Sequence, residues 1–174
     1  MIPKTPTELM IDAARIRLGI LHGLKNSMAG HIGGSMSMAD LMAVLYGGLM
    51  RTRPTDPSWE DRDWLVVSKG HCGPAVYSAL ANAGYFPAEE LATINEGGTN
   101  LPSHCDRNKT PGVDMTTGSL GQGMSTAIGV AFAHKYLGKQ NRTYLVLGDG
   151  ECQEGQDWEG ALFAAQRKLS NLIA

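Results

Sequence analysis

The residues Thr143-Tyr144-Leu145-Val146-Leu147-Gly148-Asp149-Gly150-Glu151 form an apolar run that ends in a glycine-rich, acidic turn. Short apolar runs of this kind are typical of strands that are covered on both faces, so a buried strand is predicted over residues 143–147. The two glycines permit a tight turn, and a helical pattern follows from about residue 156 to 168. The order of strand, turn and helix predicts one unit of a parallel sheet.

A second unit of this kind lies earlier in the chain. Trp64-Leu65-Val66-Val67 predicts a buried strand, and a loop over residues 68–74 follows it. Pro74 fits the first turn of a helix that runs through Ala83 and is closed by Gly84.

Two further segments extend the pattern. A glycine-rich loop over residues 116–123 precedes an apolar helix that reaches about Leu137 and is closed by Gly138. Asn171-Leu172-Ile173-Ala174 has the pattern of a strand at its start, which leaves the sheet incomplete, so we expect a truncation or a part of a longer chain. Together the units predict an α/β fold, a parallel sheet flanked by helices on both faces, with ligands beyond the carboxyl ends of the strands.

The N-terminal third is predicted to be mostly helical. Residues 7–24 carry apolar side chains at helical spacing, and a glycine-rich loop over residues 27–35 follows them. Ser37-Met38-Ala39-Asp40 indicates a variant of the capping box that starts a helix to about Tyr46. A further short helix is predicted over residues 87–95, which begin with proline.

Length and composition indicate one globular domain. The chain has 174 residues, of which 43% are hydrophobic and 18% charged, and its net charge is −2 with no basic run. This charge argues against nucleic-acid or anionic-membrane partners, and no run approaches the roughly 18 apolar residues of a membrane span. Cys72, Cys105 and Cys152 lack the spacing of a disulfide framework and, with an N-terminus unlike a signal peptide, favour a cytoplasmic setting.

The turn Gly148-Asp149-Gly150 is the first candidate binding element. Its glycine amides can face a phosphate at the start of a helix, and Asp149 offers one hard oxygen ligand for Mg²⁺. The alternative is a simple Asp-Gly turn, which is very common. Residues 118–123 form a second glycine-rich helix entry, whose spacing differs from the dinucleotide fingerprint and whose plainer interpretation is close packing.

Three histidines lie in comparable loops: His31, His71 and His104. An imidazole exchanges protons near neutral pH and can bind hydroxyls or phosphate, although a single loop histidine is usually just solvated. The His71-Cys72 and His104-Cys105 pairs raise a zinc alternative, which the spacing does not favour. His22 and His134 fall inside predicted helices and are interpreted as structural, and acids after Gly150 are explained in part by the helix dipole.

Taken in order, these motifs resemble the N-terminal, diphosphate-binding domain of transketolases, and in particular the separate N-terminal subunit of split enzymes. The resemblance covers about residues 13–174 and implies that residues 1–174 form a thiamine-diphosphate-binding fold whose C-terminal part is missing. It is carried by the segments 29–34, 68–71, 102–104, 117–123 and 148–155.

The resemblance also implies site residues. His31 would face the sugar and assist proton transfer, His71 would contact the cofactor diphosphate and the reacting centre, and His104 would bind a donor hydroxyl. Asp149 would bind Mg²⁺ or Ca²⁺, and the amide of Gly150 would hold phosphate. The other positions that match cofactor-binding or site-linking motifs are Gly118, Ser119, Leu120, Gly121, Glu151, Glu154 and Glu159, of which the two last glutamates would link paired sites across a dimer.

The sequence departs from the family pattern at Ile32, where proline is usual, and at Ser103 and Cys105, where glycine and proline are usual. The family's second metal ligand, an asparagine, would fall just beyond residue 174. The glutamate that activates the cofactor belongs to a pyrimidine-binding domain. The resemblance therefore implies self-association, as an α2β2 assembly, together with a C-terminal partner subunit.

The implied activity is transfer of a two-carbon ketol unit from a ketose, or its phosphate, to an aldose. Two alternatives stay open at this point: another thiamine-diphosphate enzyme, such as a deoxyxylulose-phosphate-type synthase, and a non-catalytic interaction module of the same fold. The sequence does not name the sugars.

Overall fold

The computed structural model describes residues 3–174 of the protein. Its elements are six α-helices and three strands within these residues, joined by short 3-10 helices and one π-helical turn. In chain order they are α1 (Pro6–Ser27), α2 (Ile32–Ser37), α3 (Ala39–Val44), the π-helical turn (Leu45–Leu49), β1 (Trp64–Val67), a 3-10 helix (Gly70–Cys72), α4 (Gly73–Ala83), a 3-10 helix (Ala88–Thr93), α5 (Gln122–Tyr136), β2 (Thr143–Val146), a 3-10 helix (Glu151–Gln153), α6 (Gly155–Gln166) and β3 (Leu172–Ile173).

The three strands form one parallel sheet in the order β1-β2-β3, which confirms the predicted sheet. Trp64 pairs with Thr143, and Thr143 pairs with Leu172, so all three strands begin at the same edge. The predicted strand start at residues 171–174 is β3. The predicted closures of α4 and α5 are also confirmed, because Gly84 and Gly138 both have the positive φ that glycine tolerates.

Helices cover both faces of the sheet, and each face has its own apolar core. Leu65 and Val67 of β1 pack with α1, α3 and α4, whereas Val66 points the other way into a core with α5. Successive side chains of a strand alternate between faces, so a strand that is apolar throughout must be covered on both sides. This explains why the short run at residues 64–67 was recognisable as a strand.

The predicted capping box at residues 37–40 is wrong. The hydroxyl of Ser37 donates to the carbonyl of Gly34 at 2.8 Å, because Ser37 is the last residue of α2 and not the start of a helix. A capping box is present instead at the start of α1, where the Glu8 carboxylate accepts from the Thr5 amide at 2.7 Å.

The predicted glycine-rich loop at residues 27–35 is wrong in its second half, which begins helix α2. Two glycines disfavour a helix there, but tertiary packing overrides propensity. A Cβ on Gly34 would lie 2.7 Å from the sulfur of Cys72, so glycine allows α2 to approach this part of the chain closely. The predicted helix to Tyr46 ends at Val44 and continues as the wider π-helical turn, where Gly48 has a φ of 121°.

The predicted helix over residues 87–95 forms as the 3-10 helix Ala88–Thr93, since the amide of Glu90 donates back to the carbonyl of Pro87, only three residues away. Among the helices of residues 3–174, none combines the length and apolar character that crossing a membrane requires.

Candidate cofactor site

Three loops meet beyond the carboxyl ends of β1 and β2. One follows β1 from Ser68, one follows β2 from Leu147, and one leads into α5 at Gln122. The hydroxyl of Thr117 donates to the carbonyl of Val67 at 2.7 Å, which ties the third loop to the end of β1. The loops that the sequence analysis names as candidate binding elements therefore lie at the edge of the sheet where a ligand site is expected.

The loop after β1 crosses the loop before α5 at very short range. A Cβ on Gly70 would lie 2.4 Å from the carbonyl oxygen of Thr117 and 2.8 Å from the amide nitrogen of Gly118. Backbone cannot yield as a flexible side chain does, so only glycine fits at residue 70. This crossing explains one glycine of the Ser-Lys-Gly-His motif in physical terms.

A cavity of about 420 Å³ lies between these loops and α2. Its lining combines bare glycine backbone with one cation, one histidine and two acids. The lining residues are Gly33, Gly34, Ser37, Lys69, His71, Leu120, Gly148, Asp149, Gly150 and Glu151.

Two of these glycines face open space. A Cβ built on Gly33 or on Gly150 would meet no atom within 4 Å, so the backbone there can be approached directly by a ligand. The side chain of Lys69 runs beside the acidic turn, with its Cδ 3.6 Å from where a Cβ of Gly148 would stand. The cavity thus offers an exposed carboxylate at Asp149 and an amine at Lys69 beside accessible backbone, which suits a phosphate held together with a cation.

The three predicted histidines lie together. The ring centroids of His31 and His71 are 4.8 Å apart, and His104 is 6.3 Å from His31 and 6.5 Å from His71. His71 lines the cavity, whereas His31 and His104 lie beside it without lining it. The cluster therefore lies at the side of the cavity that His71 lines, and it brings together the three loops that carry the histidines.

Backbone hydrogen bonds join the segments that carry His71 and His104. The amide of Cys105 donates to the carbonyl of Gly70 at 3.3 Å, and the amide of Thr117 donates to the carbonyl of Cys105 at 3.1 Å. His104 is fixed beside these bonds, with its Cδ2 at 3.0 Å from where a Cβ of Gly118 would stand.

The environment of His71 favours a neutral ring. Burial lowers the pKa of His71 below its usual value, and the neighbouring His31 and His104 act in the same direction. At neutral pH the ring is therefore available as a hydrogen-bond acceptor and proton acceptor beside the cavity.

The remaining predicted residues differ in their position. Leu120, Gly150 and Glu151 line the cavity with Asp149, but Gly118, Ser119, Gly121 and Glu154 do not. Gly121 has a φ of 83° and begins α5, and Glu154 is exposed with its Cβ 3.2 Å from where a Cβ of Gly121 would stand.

Outside the turn Gly148-Asp149-Gly150, four lining residues were not predicted as site residues: Lys69, Ser37, Gly33 and Gly34. Lys69 stands inside the motif Ser68-Lys69-Gly70-His71, and its charge beside two glycine turns was the signal that could have found it. Ser37 was interpreted as a helix cap, and Gly33 as part of a loop.

Glu151 is a buried acid, with 2% of its surface exposed. Its Oε1 accepts from the hydroxyl of Ser68 and from the amide of Gly121 at 2.7 Å, and its Oε2 accepts from the amide of Gly148 at 2.9 Å. Both carboxylate oxygens thus accept hydrogen bonds from protein donors. Glu151 precedes α6, so these bonds explain the position of this acid better than an interaction with the dipole of α6 does.

Asp157, in the first turn of α6, is also buried, and within residues 3–174 neither of its carboxylate oxygens has a hydrogen-bond partner. Burial raises the pKa of Asp157, and the charges of Glu151 and Glu154 act in the same direction.

The two His-Cys pairs do not resemble a zinc site. Cys72 and Cys105 are buried, and burial raises the pKa of both thiols, that of Cys105 to about 12. Zinc requires the thiolate, which these surroundings disfavour.

Comparison with known proteins covers nearly the whole chain. A family model described as "Transketolase, thiamine diphosphate binding domain" matches residues 8–174. The chain belongs to the transketolase family. The resemblance found in the sequence is thereby confirmed.

Relatives include subunits of transketolases. The chain is 52% identical over 167 residues to the 6-deoxy-6-sulfo-D-fructose transketolase subunit SqwG of Clostridium sp. (strain MSTE9), covering 96% of this chain and 61% of that protein. It is 42% identical to an apulose-4-phosphate transketolase subunit of Actinobacillus succinogenes, covering 95% of this chain and 60% of the relative. The chain therefore spans about three fifths of the length of these relatives.

Solved transketolase structures share the fold. The transketolase of Leishmania mexicana matches with a TM-score of 0.91 at 33% identity, over 98% of this chain and 27% of that one. The transketolase of Campylobacter jejuni also matches with a TM-score of 0.91, at 31% identity, over 97% of this chain and 28% of that one. The parallel sheet and its flanking helices are thus those of a transketolase N-terminal domain.

Proposed function

We propose that this chain forms the diphosphate-binding part of a transketolase that transfers a two-carbon ketol unit from a ketose to an aldose. The observation that carries the proposal is the cavity in which Asp149, Lys69 and His71 surround bare backbone at Gly150. A non-catalytic module of the same fold would have no need for three histidines gathered beside such a cavity.

The residues present fit thiamine diphosphate and a divalent ion. The open backbone at Gly150 and Gly33 leaves room for phosphate oxygens, and Asp149 offers a hard ligand of the kind that Mg²⁺ or Ca²⁺ prefers. Lys69 adds positive charge at the same wall. Mg²⁺ keeps only one or two protein carboxylates and takes phosphate oxygens and water for the rest, so a single aspartate is a reasonable start.

When bound, thiamine diphosphate supplies the nucleophilic carbon and the electron sink that cleavage of a C–C bond requires. The chain's own contribution is to orient the sugar and to move protons. His71 is held neutral by its surroundings and can accept a proton, while His31 and His104, with ring centroids 6.3 Å apart, can bind hydroxyls of the donor.

A second type of chain is part of the proposal. The cofactor-activating glutamate would come from a pyrimidine-binding domain on a C-terminal subunit, with two copies of each chain in an α2β2 assembly. Helix α6 supports such contacts, because Glu154 at its start and Glu159 are exposed, and Trp158 and Leu162 leave 64% and 73% of their surface open.

The donor is proposed to be a ketose that carries an anionic group. The support is the identity of 52% to a relative named for 6-deoxy-6-sulfo-D-fructose and of 42% to one named for apulose 4-phosphate. A sulfonate and a phosphate present similar oxygen atoms, so the donor class is stated as a sulfonated or phosphorylated ketose.

The proposal is tested by reconstitution. The full-length protein would be mixed with a candidate pyrimidine-domain subunit, thiamine diphosphate, Mg²⁺ and an aldose phosphate acceptor, with 6-deoxy-6-sulfo-D-fructose, apulose 4-phosphate or fructose 6-phosphate as donor. Mass spectrometry should find a donor shortened and an acceptor lengthened by two carbons. Binding of the partner without any transfer, with all three donors, would instead favour an interaction module.

A further inference from the structure

We infer that Glu151 is a positioning residue: its buried carboxylate clasps the three loops of the cofactor site and sets the distance between the acidic turn and His71. The inference deepens the proposed function and rests on it only for the identity of the ligand. It replaces the expectation that Glu151 itself binds the cofactor.

Local geometry brings the side chain back toward the end of β2. The 3-10 helix Glu151–Gln153 begins directly after the turn Gly148-Asp149-Gly150, and the Glu151 side chain folds back by three residues. There its Oε2 accepts from the amide of Gly148 at 2.9 Å. The acidic turn is thereby closed by its own next residue.

The other carboxylate oxygen reaches two distant segments. Oε1 accepts from the amide of Gly121, at 2.7 Å and 30 positions away, and from the hydroxyl of Ser68, 83 positions away. Ser68 in turn accepts from the amide of Gly123 at 3.1 Å. One carboxylate therefore joins the end of β1, the start of α5 and the turn after β2.

The direction of every bond agrees with an ionised carboxylate. Both oxygens of Glu151 only accept, and Ser68 accepts with its oxygen while its hydrogen points to Glu151. Within residues 3–174, no lysine or arginine forms an ion pair with Glu151, so neutral donors alone hold this carboxylate. Such an arrangement fixes loops without using the positive charge that an incoming diphosphate needs.

The substitution Glu151→Gln removes the ability to accept hydrogen bonds at both ends of the side chain, with little change in volume. A carboxamide has one accepting oxygen and one donating nitrogen, so it cannot accept at both ends. Either the amide of Gly148 or the amide of Gly121 must lose its acceptor. Ser68→Ala leaves the carboxylate in place and removes the hydroxyl that donates to Glu151 and accepts from the amide of Gly123. Glu96→Gln, on an exposed turn outside the site, controls for the loss of charge.

The first test uses the full chain without cofactor and follows amide hydrogen exchange by NMR. In Glu151→Gln we expect exchange at Gly148 or Gly121 to become at least about tenfold faster, with amides inside β1 and β2 unchanged. Glu96→Gln should leave all of these rates unchanged. Unchanged exchange at both glycines in Glu151→Gln, or equal acceleration across the whole sheet, would contradict the inference that Glu151 holds these loops together.

The second test measures the dissociation constant of thiamine diphosphate with Mg²⁺, at a temperature where every variant is folded. We expect the dissociation constant to be about tenfold larger in Glu151→Gln and in Ser68→Ala. In the double variant the increase should be smaller than the product of the two single increases, because both substitutions break the same hydrogen-bond network. Equal affinity of Glu151→Gln and the unchanged protein would contradict the inference. Absence of binding to the unchanged protein would contradict the proposed function instead, while the exchange result would still decide the clasp.

Discussion

The two ends of the sheet both carry buried carboxylates, but they hold them by different means. At the amino end of β1, Asp114 Oδ1 accepts from Nε and Nη2 of Arg62 at 3.1 and 2.9 Å, and Asp63 Oδ1 accepts from Nη2 of Arg51 at 2.8 Å. At the carboxyl end, Glu151 is held by a hydroxyl and two backbone amides.

The difference separates stability from binding. At the amino end, arginine side chains balance the charges of the buried Asp63 and Asp114, so no uncompensated charge is left there to bind a ligand. These ion pairs hold the strands to their preceding loops. The carboxyl end keeps Lys69 and the carboxylate of Asp149 at the wall of an open cavity. Changes at the amino end should therefore affect folding, and changes at the carboxyl end should affect ligand binding.

The largest effect is expected for Asp114→Ala at the amino end. The change leaves the largely buried guanidinium of Arg62 without its partner and the amide of Leu65 without an acceptor. Because breaking a buried ion pair strands the remaining charge, urea unfolding should show a loss of about 3 kcal/mol in the free energy of unfolding. The exposed Asp61→Ala is the control and should change it by less than about 0.5 kcal/mol.

A loss below about 1 kcal/mol in Asp114→Ala would contradict the assignment of this end to stability. So would a loss of cofactor binding under conditions in which circular dichroism shows the variant to be folded.

The next effect is expected for Gly150→Ala at the carboxyl end. Gly150 has an ordinary negative φ and a Cβ would meet no atom within 4 Å, so the melting temperature should not change. The added methyl group would occupy the space proposed for phosphate oxygens, and calorimetry should find thiamine diphosphate binding about tenfold weaker or more.

Gly97→Ala is the matched control for this change, because its Cβ also meets nothing within 4 Å and Gly97 lies away from the cavity. Full affinity in Gly150→Ala would show that the phosphates do not approach this backbone.

The smallest effect concerns acid stability, to which one histidine at each end contributes. Burial lowers the pKa of His71, with His31 and His104 acting in the same direction, and burial lowers the pKa of His134, with Lys139 and Arg62 assisting. The unfolded chain then binds more protons than the folded one as pH falls below 6.5, so the free energy of unfolding falls with pH in that range.

His71→Gln and His134→Gln should each reduce this slope, measured by urea unfolding between about pH 5 and 8, and the double variant should reduce it further. A slope that stays unchanged in His71→Gln would contradict the account of its surroundings. Addition of the cofactor sharpens the comparison, because a nearby diphosphate should raise the pKa of His71 and leave that of His134 unchanged.

Much of the fold could be predicted from the sequence because the strands are short apolar runs bounded by polar and glycine-rich turns. Residues 64–67 and 143–147 needed no partner to be recognised, since burial on both faces makes them apolar almost throughout. Helix α2 could not be predicted, because its two glycines oppose a helix and only the approach to Cys72 explains it. Local sequence carries no record of that approach.

The candidate site was predictable for a similar reason, and only in part. His31, His71 and His104 stand in loops that the fold gathers, so their order along the chain was informative. The role of Glu151 was not, because two of its three donors lie 30 and 83 positions away. Contacts over such separations exist only in the folded chain.

The most direct measurement is a calorimetric titration of thiamine diphosphate into the full-length protein, with and without Mg²⁺, for the unchanged chain and for Asp149→Asn. The cavity at Asp149 predicts binding at one site per chain that depends on Mg²⁺, and at least about tenfold weaker binding in Asp149→Asn because the amide is a poorer ligand for the ion. Binding that is equally strong without Mg²⁺ and in Asp149→Asn would contradict a diphosphate and its metal ion being held at this turn.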